Sequence, residues 1–134
     1  LIPIITPIFA GIAAFMLIWF SFRVVALRRD KKILSGDGGD VEMRRAIRVQ
    51  GNFVEYVPLT LVLMGFAEMQ GANRGVIVLV GCALIAGRVL HALGISRDPE
   101  QFTFRVRGMF FTFTALAIAA VLSIGQSVWV LLQR

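Results

Sequence analysis

Residues 48–56 carry Arg48, Gln50, Asn52, Glu55 and Tyr56, and Pro58 follows, in the stretch RVQGNFVEYVP. These are side chains of recognition chemistry. An arginine offers a fork of N–H donors to a carboxylate or phosphate. A glutamate accepts an ammonium group, and asparagine and glutamine match amides. On a helix turning about 100° per residue, Asn52 lies about 40° from Arg48, and Glu55 about 20° to the other side. Those three share one stripe. Tyr56 flanks it at about 80°, while Gln50, at about 200°, faces a different neighbour. A purely structural use stays open: Arg48 and Glu55, two turns apart, bridged through Asn52. Pro58 lacks an amide donor and crowds the carbonyl of Val54. That either loosens the helix beside Glu55 or is a tolerated kink in a membrane helix.

The elements that must position this stripe follow from composition. Hydrophobic residues make up 57% of the 134 residues, and mean hydropathy is +0.80. A chain this apolar is expected in a membrane rather than as a soluble fold. The length suits one domain. Four stretches are long and apolar enough for helices that span, over about 3–29, 44–69, 74–96 and 104–133. The first has no basic region before it and no small-residue cleavage site after it, so it is expected to stay as a span. The connections are a charged, glycine-rich loop (RRDKKILSGDGGDVEMRR), a short turn (QGANRG) and a polar turn with Pro99 (SRDPEQ). Short connections imply antiparallel neighbours, hence an all-α, integral membrane, up-down-up-down four-helix bundle.

Net charge is +6, and eight of the fourteen Lys and Arg fall between Arg23 and Arg48. In a membrane protein that bias sets topology and does not point to nucleic acid. The first and third connections are rich in Lys and Arg, while the second has only Arg74. The expectation is loops one and three in the cytoplasm and both termini outside. Arg23, the Arg48–Tyr56 stripe, Arg88, His91, Arg105 and Arg107 then gather at one side of the membrane and at similar depth. The other half offers chiefly Thr6, Glu68 and Gln126. Ionisable groups at such depth are costly and face an interior, a cavity or a partner. For Arg23, Arg28, Arg29, Lys31 and Lys32, snorkelling to headgroups is an equal alternative.

The ligand such a site wants is anionic and peptide-like, with at least one amine. Glutathione fits, having two carboxylates, an amine, two amides and a thiol. An arginine near the sulfur favours the nucleophilic thiolate. Other chemistries are poorly served. One His and one Cys give no metal cluster. Cys82 reads as a small packing residue in mid-helix. GDGGD lacks the strand–helix context of a phosphate loop and reads as a flexible linker. MFFTF in the fourth helix reads as packing or lipid-facing.

The residues RVQGNFVEYVPL resemble the second-helix signature of the MAPEG family, the membrane-associated proteins in eicosanoid and glutathione metabolism. Arg48, Gln50, Asn52, Glu55, Tyr56, Pro58 and Leu59 meet its pattern. The resemblance extends to FSFRVVALRR, RVLHALG and FRVRG, and so covers essentially the whole chain. It implies a homotrimer with glutathione held between copies near the cytoplasmic face. Carried over by position, Arg48, Asn52, Glu55 and Tyr56 hold the tripeptide, and Gln50 acts from the adjacent copy. Arg28 or Arg29 reaches in from the first helix. Arg88 and His91 match an Arg-x-x-His of the prostaglandin synthase branch. The thiol-activating arginine is Arg105 in first place and Arg107 in second. Where some members carry a tyrosine one turn past the histidine, this chain has Ile95.

Three functions remain in view. The first is a glutathione-dependent transferase or peroxidase that attacks a lipophilic small molecule arriving through the bilayer. The second is a non-catalytic membrane scaffold of the same fold. The third is a small proton-coupled exporter of cations, which the excess of arginine around Glu55 disfavours. The short loops suggest a bacterial inner-membrane protein.

Overall fold

The structure is a computed structural model that describes residues 1–133. Among them are four helices and no strand: α1 (Thr6–Lys31), α2 (Val41–Met69), α3 (Arg74–Ser96) and α4 (Phe102–Leu132). α1, α3 and α4 are each long and apolar enough to cross a membrane. α2 is long enough but more polar than the others. It carries Glu42, Arg44, Arg45, Arg48, Glu55 and Glu68.

The helix ends are set by identifiable groups. α1 begins later than hydropathy suggests, with Pro7 in its first turn and no side-chain cap of its own. Its open donors are met from α2 instead. The Glu68 carboxylate accepts the N–H groups of Ile4, Ile5 and Thr6 at 2.8, 2.7 and 2.8 Å. Such donors have no partner within their own helix, and a carboxylate there also meets the positive end of the dipole. α1 stops at Lys32, which takes the left-handed conformation (φ 55°). The N–H of Ile33 then donates back to the Arg28 carbonyl at 3.0 Å, and Ile33 packs against Val24, Met43 and Ala46. α2 starts earlier than its apolar run because Asp40 caps it, accepting from the Met43 N–H at 2.8 Å.

The first connection is not the flexible linker expected from GDGGD. Acidic residues flank the glycines, and basic residues at the helix ends reach them. Arg44 pairs with Asp37 at 2.5 Å, and Lys31 with Asp40 at 2.7 Å and Glu42 at 3.1 Å. Arg28 donates to the Gly36 carbonyl at 3.0 Å. Gly38 is required twice over: its φ is +58°, and a Cβ there would press on Ile33 at 3.0 Å.

Long-range bonds define which ends meet. Beyond Glu68, Ser127 of α4 donates to Gln70 in the α2–α3 turn at 2.9 Å. Arg45 of α2 reaches Asp98 and Glu100 in the α3–α4 turn at 3.2 and 3.4 Å. Arg23 of α1 donates to Ser96 at the end of α3 at 2.8 Å. The apolar core between them includes Phe53, Val57, Met64, Ile77, Leu84 and Ala115. α3 and α4 come close where Gly87 faces Gly108. A Cβ on Gly87 would lie 2.7 Å from the Thr112 hydroxyl. Cys82, expected in the packing, is exposed. The buried face of α3 runs through Ile77, Gly81, Leu84, Arg88 and His91, and Cys82 lies about 100° off Gly81. Large apolar side chains such as Phe15, Trp19, Phe110 and Val121 cover the outside, as a lipid-facing surface requires.

Two outcomes are expected. Glu68→Ala leaves three backbone donors without an acceptor. It should destabilise the detergent-solubilised protein by about 2 kcal/mol or more, with Glu68→Gln losing less. Thermal unfolding followed by circular dichroism checks this, and an unchanged midpoint for both variants would contradict the cap. The second concerns the first connection. Asp37 is held below the ordinary carboxylate value of 3.8 by its bond from Arg44, then by the Gly39 N–H. Asp40 is lowered likewise by Lys31, then by the Met43 N–H. A lowered folded pKa gives stabilisation that is present above the unfolded value and lost as pH falls through the folded one. The Gly39 and Met43 amide resonances should therefore shift with midpoints below 3.8. Midpoints above it would refute the pairing.

Candidate functional site

At the centre of the polar end lies Arg88, 2% exposed. It projects from α3 between α2 and α4. One terminal nitrogen, Nη1, donates to Asn52 Oδ1 at 2.6 Å and, more weakly, to the Asn52 carbonyl at 3.4 Å. The other, Nη2, donates to the Thr112 hydroxyl at 2.5 Å and approaches Met109 Sδ at 3.4 Å. Thr112 in turn donates to the Gly108 carbonyl at 2.8 Å. The guanidinium carbon lies 5.9 Å from the centre of the Tyr56 ring. That ring packs edge-on against Phe113 at 5.3 Å. Arg88 Nε is buried without a partner among the described residues. A charge so placed is costly unless its hydrogen bonds are met, and here α2 and α4 meet those of the two terminal nitrogens.

The knot fixes the stripe on α2. With its oxygen held by Arg88, Asn52 turns its amide nitrogen toward Glu55 Oε2, at a long 3.5 Å. The bridge Arg48–Asn52–Glu55 is therefore not formed. Arg48 and Glu55 both lie on the exposed side of α2, and no ion pair engages either among the described residues. Pro58 sits inside an unbroken α2. Two residues on, the Thr60 hydroxyl donates to the Tyr56 carbonyl at 2.8 Å.

The remaining expected residues divide into groups. His91, one turn past Arg88, is buried. Arg105 enters from α4, its backbone directly over Gly94 of α3. It pairs with Glu100 at 3.4 Å. Arg107, two residues on, turns away and lines a shallow outer recess with Gln101, Thr103 and Phe104. Gln50 faces α1, where its amide donates to the Ser21 hydroxyl at 2.8 Å. Ser21 is thus the different neighbour that the helical wheel demanded, and it belongs to the same chain. Arg28 finds its polar partner in the first connection, at Gly36, and Arg29 pairs with its neighbour Asp30 in the last turn of α1, and neither bonds to α2. Ile95 is buried.

Within one chain, then, Asn52, Tyr56 and Arg88 come together, with Glu55 beside them and His91 behind. Arg28, Arg29 and Gln50 bond elsewhere. Sequence reasoning missed Thr112 and Met109, hidden in an apolar run. The available signal was Arg88 itself, since a buried guanidinium requires acceptors and Thr112 is a polar residue on the facing helix. It also left Glu68 without a role.

Three apolar spans around a buried polar knot at one end define a multi-pass, all-helical membrane protein. The comparisons carry this further: the model of the MAPEG family matches residues 6–125, and the chain belongs to that family. It is 38% identical over 125 residues to inner membrane protein YecN of Escherichia coli strain K12, covering 93% of this chain and 94% of that protein. The protein of the same name from Escherichia coli O6:H1 strain CFT073 matches equally, at 38% over 125 residues.

The knot makes a specific expectation. Arg88→Met strands Asn52 and Thr112 and should destabilise the protein by about 2–6 kcal/mol, at about 1–3 for each buried polar group left unpaired. Adding Asn52→Leu should recover part of that loss, because one stranded acceptor is then gone. Unfolding of the single and double variants in detergent is the measurement. Strictly additive losses would rule out the coupling.

Proposed function

We propose that this protein is a glutathione-dependent transferase or peroxidase acting on lipophilic electrophiles in the membrane. One observation carries the reading. α2 turns Arg48 and Glu55, opposite charges with no ion-pair partner among the described residues, outward on one stripe beside a rigid knot. Open charges on a membrane helix are costly and call for a partner. A ligand carrying carboxylates and an ammonium group complements both. Membership of the MAPEG family supports the same choice.

In this reading Arg48 takes a carboxylate and Glu55 the ammonium. Asn52 and Tyr56 border the peptide, and Arg88 with His91 supports them from beneath. Arg105, or in second place Arg107, stabilises the thiolate once the thiol proton has left to water. The sulfur then forms a bond to an electrophilic carbon, and either a leaving group departs with its electron pair or an activated double bond takes up the electrons and then a proton, giving a thioether. With a hydroperoxide it attacks the terminal oxygen, the O–O bond breaks and the alcohol leaves after taking up a proton; a second glutathione then converts the sulfenic acid to a disulfide and water.

The assembly is a homotrimer with the site between copies, which lets Gln50 and Arg28 or Arg29 approach from a neighbour. α2 spans the membrane along with α1, α3 and α4, completing an up-down-up-down bundle. Connections one and three face the cytoplasm, in a bacterial inner membrane like that named for the Escherichia coli relatives.

A non-catalytic scaffold is the second reading. The observation favouring it is that Arg88 and Gln50 already spend their donors within the chain. Equilibrium binding of labelled glutathione to the solubilised protein separates the two. Arg48→Ala and Glu55→Ala should each weaken binding about 10- to 100-fold, the value of a charged hydrogen bond. A folded protein that binds nothing at millimolar glutathione and turns over no model electrophile would be the scaffold.

A further inference from the structure

On the face of α3 that looks to α1, the two helices border an apolar groove of about 530 Å³. Its walls include Phe15, Met16, Trp19, Val89, Ala92 and Leu93. That volume lies within the roughly 300–1,000 Å³ of ligand pockets. The groove does not stop at Trp19. The same ring lines a second hollow, of about 320 Å³, with Phe22, Arg23 and Ala26. An apolar trough thus runs along α1 to an arginine.

Position along the helix matters here. Arg23 stands about 25 Å along α1 from Thr6 at 1.5 Å per residue. It therefore falls near the far edge of a hydrocarbon layer about 30 Å thick. Trp19, one turn before it and 72% exposed, is the kind of side chain that marks that edge. Arg23 spends one donor on Ser96 at 2.8 Å and has no carboxylate partner among the described residues. A guanidinium has five N–H donors. Its charge and remaining donors lie where lipid phosphates lie.

The geometry points to a binding site for one anionic phospholipid, its acyl chain in the α1–α3 groove and its headgroup on Arg23. A lipophilic substrate is a poorer occupant. Arg88 points from α3 toward Asn52 and Thr112, whereas Val89, which lines this groove, lies about 100° round the helix, so the groove opens on a different face from the knot. A second copy of the chain is poorer as well, because it would have to supply an anion at Arg23 and cover Trp19 at the interface level. The site is independent of glutathione and stands whether or not the protein is an enzyme.

The test uses the intact protein in nanodiscs of equal phosphatidylglycerol and phosphatidylcholine, released for native mass spectrometry. The wild type should retain phosphatidylglycerol in preference, at about one per chain. Arg23→Gln should cut that preference roughly fivefold, the value of one cation at an anionic surface. Ser96→Ala, which loses the hydrogen bond and keeps the charge, should retain it. Ala92→Phe, filling the groove, should lower retention of both lipids, with helicity unchanged by circular dichroism. No preference in the wild type, or an unchanged one in Arg23→Gln, overturns the proposal. So does an equal loss in Ser96→Ala, which would make the effect structural. Altered oligomeric state with unaltered lipid retention in Ala92→Phe would make the groove a seam between copies and overturn it too.

Discussion

Much of the polar end depends on one constraint: a guanidinium buried at 2% exposure must find acceptors within its own chain. Arg88 finds them on two different helices, Asn52 of α2 and Thr112 of α4. That demand fixes the rotation of all three helices, because each acceptor must point at one atom group. It also explains the glycines nearby. α3 and α4 need to be close for Thr112 to reach Arg88, and Gly87 facing Gly108 permits it. The hydrophobic effect gives little direction to helix packing inside a bilayer. A buried charge with directional donors supplies direction that apolar packing does not.

The two ends of the bundle solve the same problem differently. At one, a cation is surrounded by neutral acceptors. At the other, the Glu68 anion collects three backbone N–H groups at the start of α1. Both use α2. It contributes Asn52 to the first and Glu68 to the second, and Arg45 reaches the α3–α4 turn besides. α2 is the most polar helix because it joins the others through specific bonds, which is also why composition alone does not mark it as a span.

How much of this was legible in the sequence varies with the range of the interaction. The stripe of Arg48, Asn52 and Glu55 follows from helical periodicity, and so does the opposed direction of Gln50, which the Ser21 contact bears out. Those are local facts. The pairing of Asn52 with Arg88 was not legible, because it joins residues 36 apart and depends on how α3 is rotated. Thr112 was read with its apolar neighbours because nothing in MFFTF distinguishes a buried acceptor from a tolerated hydroxyl. GDGGD was read as a linker from its glycines alone. The order comes from Arg44, Lys31 and Arg28, basic residues whose own apparent role was orientation in the membrane. Cys82 was assigned to packing by residue type, and the phase of α3 overrules that.

The direction of each polar residue then separates structure from function. Those turned inward, Asn52, Thr112, Arg88 and Glu68, are bonded within the chain and account for the fold. Those turned outward, Arg48 and Glu55 on α2, have no ion-pair partner among the described residues. Ionisable groups that a membrane helix turns outward are costly without a partner, and in the proposed function that partner is the ligand. The alternation along one helix, Asn52 in and Glu55 out, lets the internal bonds set the position of the external ones. In the proposed function the Arg88 knot would pre-organise the site, holding two charges at a set separation before a ligand arrives.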